Sequence, residues 1–122
     1  MALDREDTLK KAEKLLRQGR LDAAIVEYVR VVDDQPRDWT TANTLGDLYA
    51  RAGQAAKAVG QYGRIADHFV EDGFYPKAAA LYKKILKLTP DDEATQLKLA
   101  ELSAPAGLTT PPASTGSLRR PG

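Results

Sequence analysis

Apolar residues recur at helical spacing through most of the chain, and nowhere do they alternate as the residues of a half-buried strand would. Leu9, Ala12, Leu15 and Leu16 stand at i, i+3, i+6 and i+7. Ala24, Tyr28, Val31 and Val32 stand at i, i+4, i+7 and i+8, so each series draws one apolar stripe along a helix. Punctuation falls where helices end: Gln18-Gly19-Arg20, Pro36, Ala52-Gly53-Gln54, Asp72-Gly73, Pro76 and Pro90. Six helices are predicted, near residues 5–18, 21–34, 38–52, 55–71, 76–88 and 91–103, and the fold class is all-α. The connections are short, which makes sequential neighbours antiparallel hairpins. Thr89-Pro90-Asp91-Asp92 reads as a helix start, with Thr89 as N-cap and Pro90 in the first helical position.

The same landmarks repeat. Gly19 and Gly53 are 34 residues apart, as are Ala24 and Ala58, Tyr28 and Tyr62, and Val31 and Ile65. The next interval is shorter: Gly53 to Gly73, Ala58 to Ala78, Tyr62 to Tyr82 and Ile65 to Ile85 are each 20, while Pro36 to Pro90 is 54. One helix has been skipped. The fourth helix is expected to serve twice, closing one hairpin through Ala58 and Tyr62 and opening the next through Ile65, Ala66 and Phe69, with a change of curvature at residues 60–72. The last helix, carrying Leu99 and Ala100, reads as a half-repeat that caps the stack and turns Glu93, Gln96, Lys98 and Glu101 to water.

A 34-residue, two-helix unit with a small residue followed four positions later by an aromatic resembles the tetratricopeptide repeat. The resemblance covers residues 5–103 and rests on Leu45, Gly46, Tyr49 and Gly53 in the first helix and turn of the second unit. In the second helices it rests on Ala24, Tyr28 and Pro36, then on Ala58 and Tyr62. It implies a right-handed α-solenoid with units near 5–38 and 39–72, an irregular third unit over 59–90 and a capping helix at 91–103. Gly46 and Ala24 are expected to let helices approach within a unit, while Tyr28, Tyr49 and Tyr62 fill the gaps between helix pairs.

The resemblance also implies that first helices line a concave groove for an extended peptide or a partner's helix. By position the groove set is Glu13 and Arg17 with Leu9 and Leu16 on the first helix, and Asn43, Asp47 and Arg51 with Thr40 and Thr44 on the third. Arg64 lies beside them on the fourth. The family's clamp for acidic chaperone C-termini needs Lys and Asn where this chain has Leu9, Glu13 and Thr44, so that specialisation is rejected.

From Ala104 to Gly122 four of the chain's seven prolines gather among Ser, Thr and Gly, and a disordered tail is expected there. The 122 residues suit one core. Lys and Arg number 18 against 17 Asp and Glu, a balance that offers no field for nucleic acid or an anionic membrane. With no Cys and one His, thiolate and multi-histidine metal sites are excluded, and no cofactor is expected. Asp33-Asp34 and Asp91-Asp92 do not make catalytic pairs, because adjacent helical residues do not face one another. No Gly-rich phosphate loop and no Ser-His-Asp arrangement is present.

His68, between Asp67 and Phe69, reads as an interhelical hydrogen bonder, and Trp39 as the cover of a joint between units. Gly60 and Gly63, inside the fourth helix, are expected to mark close helix contact at the register break or, alternatively, to open the groove floor to a ligand backbone. The reading is a non-enzymatic protein-interaction scaffold in the cytoplasm, with another protein as partner and neither nucleic acid nor membrane. The alternative is self-association through Leu97, Leu99 and Leu102 of the last helix.

Overall fold

A computed structural model describes residues 3–103, and within them the chain is six α-helices in succession. They are α1 (Arg5–Arg17), α2 (Leu21–Asp34), α3 (Trp39–Arg51), α4 (Ala55–Glu71), α5 (Tyr75–Leu88) and α6 (Glu93–Ser103). The tail expected at 104–122 lies outside the described residues. Each helix packs chiefly on its neighbours in sequence, α1 on α2, α2 on α3, and so on to α6.

Two kinds of turn build the stack. Gly19, Gly53 and Gly73 hold φ of 74°, 76° and 80°, a left-handed backbone that glycine adopts without steric penalty. Each closes the preceding helix with the same paired bonds, such as Gln54 N to Tyr49 O at 2.9 Å and Gly53 N to Ala50 O at 3.1 Å. The other kind pairs a proline with an aspartate two residues later. Asp38 caps α3 by accepting from Thr41 N at 3.2 Å, and Asp92 accepts from Thr95 N at 3.3 Å at the start of α6. Glycine turns both precede and follow α4, so two helices are hairpinned to it in the same way.

Two sequence expectations are corrected and a third is extended. Thr89 does not cap α6: its hydroxyl donates to Ile85 O at 3.0 Å and finishes α5, while Asp92 takes the capping role and Pro90 stays in the turn. The Tyr62 ring reaches the next helix, under the Lys84 ammonium, but it also presses on Gly46 within its own hairpin, where a Cβ would come within 2.6 Å of the ring. Gly60 and Gly63 face open space, with nothing within 4 Å of a Cβ at either position, so close packing does not explain them. Gly60→Ala and Gly63→Ala should therefore each raise stability by about 0.5–1 kcal/mol through helix propensity alone. Urea midpoints of the single variants check this, and a lowered midpoint would show a contact that the open space denies.

The core runs the length of the stack. Ala24, Ala58 and Ala78 are wholly buried where helices cross, and Tyr28, Tyr62 and Tyr82, four residues on, are buried beside them. Leu45, Val31 and Ile65 complete it. On α6, Leu99 and Leu102 are half-buried against this core and only Leu97, 66% exposed, stands out, so the three leucines form no common exposed edge.

Candidate functional site

Alternate helices are joined by side chains. From α1, Arg5 donates Nε and Nη2 to Asp38 Oδ2 at 2.8 and 2.6 Å, tying the first helix to the cap of α3. From α5, Lys84 Nζ donates to Asp47 Oδ1 at 2.8 Å and Asn43 Oδ1 at 3.2 Å, both on α3. The groove is expected on α1 and α3; α5 joins α3 through Lys84 and lies outside that expectation.

The structure brings Asn43 and Asp47 together under Lys84, whose ammonium also lies 4.6 Å from the Tyr62 ring centroid. Tyr62 donates its hydroxyl to Asp47, and burial, then the Asp47 carboxylate, drive its phenol far above the ordinary value. Asp47 thus belongs to the scaffold as well as to the face. Among the described residues only the Asn43 oxygen is engaged, by Lys84, and its amide N–H groups have no side-chain partner there. Thr40 and Arg51 are exposed on α3, as Glu13 and Arg17 are on α1. Glu13 is close enough for its charge to add to burial in raising the Tyr28 phenol. Arg64 turns away from this group: Nη1 donates to Pro36 O at 3.0 Å, and its guanidinium lies 5.5 Å from the centroid of Trp39.

Lys84 was not among the residues singled out from sequence. Its signal is the stripe Lys77, Leu81 and Lys84, spaced i, i+4 and i+7 on one face of α5. Trp39, half-buried, stacks on His68 with ring centroids 4.5 Å apart. His68 therefore joins helices by stacking; its Nε2 lies 3.4 Å from Asp72 Oδ2, at the end of its own helix, so it makes no interhelical hydrogen bond of the expected kind.

Lys84 fastens one end of α5 to α3, and a cleft of ≈ 290 Å³ remains open beside it. Trp39, Thr40 and Asn43 form one wall, Ile65 and Phe69 of α4 the floor, and Leu81 of α5 the other wall. A larger hollow, ≈ 500 Å³, lies apart from this face, between α2 and the start of α4. Among the described residues no group of three or more His, Asp or Glu side chains could hold a metal ion. None of their helices is long and apolar enough to cross a membrane.

The sequence pattern of the tetratricopeptide-repeat family matches residues 9–67. Among solved structures, the chain is similar to the first tetratricopeptide-repeat domain of Spaghetti (RPAP3) bound to the HSP90 peptide SRMEEVD. That likeness has 20% identity over 84% of this chain and 93% of the other, with a TM-score of 0.46. The first such domain of human RPAP3 is similar at 20% identity over 81% and 89% of the two chains, with a TM-score of 0.44. No curated protein matches the chain in sequence.

Proposed function

We propose that the chain, whose residues 9–67 match the tetratricopeptide-repeat family, is a non-enzymatic interaction module that holds a peptide or a partner's helix against α1, α3 and α5. The observation that carries this reading is the direct bridging of alternate helices, Arg5 to Asp38 and Lys84 to Asp47, which ties α1 and α5 to α3. Asn43, Thr40 and Arg51 on α3, with Glu13 and Arg17 on α1, offer donors, acceptors and both charges to a backbone laid across them. Burial raises the phenols of Tyr28, Tyr49, Tyr62 and Tyr82, and hydrogen bonds from Thr41 and Arg5 lower Asp38 against its burial, so these five groups serve the scaffold.

The test uses a partner captured by the full chain and identified by cross-links on α1 or α3. Asn43→Ala combined with Arg51→Ala should weaken its binding about tenfold or more, the scale of charge-assisted hydrogen bonds. Helicity and melting should stay near wild type. Asp47→Ala serves as the contrast, since it should lower stability by freeing Tyr62 and Lys84. Wild-type affinity in the double variant would remove Asn43 and Arg51 from the site.

A further inference from the structure

The exposed side of α2 carries an apolar centre flanked by opposite charges at equal distance. Asp22, Val26 and Arg30 are spaced four residues apart, so they follow one i±4 row, with each charge about 6 Å along the axis from Val26. All three are exposed, Val26 by 57%, whereas every other large apolar residue of α2 is buried or half-buried. Beside the row lies the ≈ 500 Å³ hollow, lined by Ile25, Val29 and Tyr49 and edged on its far side by Gln54 and Lys57. None of Glu13, Arg17, Asn43 and Arg51 reaches it.

The charges of the row are not used up within the molecule. Asp22 has no cationic partner among the described residues. Arg30 shares the Glu27 carboxylate with Lys11, at 3.0 and 3.6 Å, so two cations there meet one acid and the guanidinium keeps donors for another. A row that reads acid, apolar, base at even spacing is complementary to its own copy laid in the opposite direction. About a two-fold axis at Val26, that side chain meets its own copy, and Asp22 of each molecule meets Arg30 of the other. Rows of this kind on two helices pack into each other's grooves at about −50°, the commonest crossing of helices, and here the hollow is the groove beside the row.

We propose that the chain pairs with a second copy through α2, the Asp22, Val26 and Arg30 row of each molecule seated in the hollow of the other. A net charge of +1 lets two copies approach with little repulsion. One helix pair is a small contact, so the dimer is weak, with a Kd on the order of 10–100 μM. Pairing makes the interaction module proposed above bivalent.

Sedimentation velocity of the full chain, from about 5 to 500 μM, should show a monomer passing into a dimer. Val26→Lys sets two ammonium groups against each other at the axis and should hold the protein monomeric, with helicity and melting unchanged because the position is exposed. Asp22→Lys alone and Arg30→Asp alone each place like charges opposite one another and should raise Kd about tenfold or more; Lys11 remains on Glu27 in the second. Mixed in equal amounts, the two variants restore opposite signs at both contacts and should form a heterodimer of near wild-type strength. The chain has no cysteine, so Val26→Cys puts a lone thiol at the axis. Diamide should link two copies of it far faster than two copies of Leu97→Cys, which stands 66% exposed on α6.

A monomer at every concentration, a dimer that survives Val26→Lys, or a mixture no more associated than its two components would overturn the pairing. Equal cross-linking of Val26→Cys and Leu97→Cys would do the same, since it reports random collision. Comparing Asn43→Ala, Arg51→Ala with its parent in the Val26→Lys background tests the groove alone, so the two readings fail separately.

Discussion

Tyr62→Ala should remove about 3–5 kcal/mol of stability, the range for truncating a fully packed aromatic side chain. The ring is 2% exposed, presses on the backbone at Gly46, and lies beneath the Lys84 ammonium. Truncation opens a cavity at the joint of α3, α4 and α5 and leaves Asp47 without its phenol donor. Tyr62→Phe separates the two losses: it keeps the ring and forfeits only the bond to Asp47, about 1 kcal/mol. Urea unfolding of both variants measures the difference, and a loss below 1 kcal/mol in Tyr62→Ala would mean that the joint repacks. The phenol also fixes an alkaline limit. Its value is raised in the fold, so above the ordinary tyrosine value of 10.0 the folded chain holds a proton that the unfolded chain has released. Stability therefore falls as pH climbs past that value, and Tyr62→Phe should flatten the fall.

Asp38→Ala should cost about 2 kcal/mol, combining loss of a helix cap with loss of a charged hydrogen-bond acceptor. The carboxylate, 9% exposed, takes two bonds from Arg5 and one each from the backbone and hydroxyl of Thr41. Burial pushes its pKa up, but the bonds from Thr41 and Arg5, with the guanidinium charge, outweigh burial and bring it below 3.8. A lowered acid contributes stability that is complete above the unfolded value and disappears as pH falls through the folded one. Wild type should thus lose stability below about pH 4 more steeply than Asp38→Ala. Parallel acid titrations of the two proteins check this, and equal slopes would refute this arrangement of Arg5 and Asp38.

Much of the scaffold was legible because its constraints are local. A glycine turn, a wholly buried alanine and a tyrosine one turn later each recur with the same spacing, and all six helices lie within two residues of their predicted bounds. Thr89 misled because Thr-Pro also fits a helix start; the pairing of Pro36 with Asp38, shifted by 54 residues, points instead to Asp92. Gly60 and Gly63 were illegible, since a glycine against open space and one under a neighbouring helix look alike in sequence. Lys84 escaped notice because its partners lie 37 and 41 residues away, and a helical stripe says which residues share a face without saying what faces them. The open cleft depends on the same long-range docking.

A pile of helices in which each leans mainly on the next resembles a zipper more than a knot, and α3 is the tooth where the two sides are fastened. Arg5 reaches across to it from one direction and Lys84 from the other, skipping a helix each time. Damage at either terminus can therefore stay where it occurs, whereas a lesion at the middle helix releases both flanks at once and makes the two halves lose their order together.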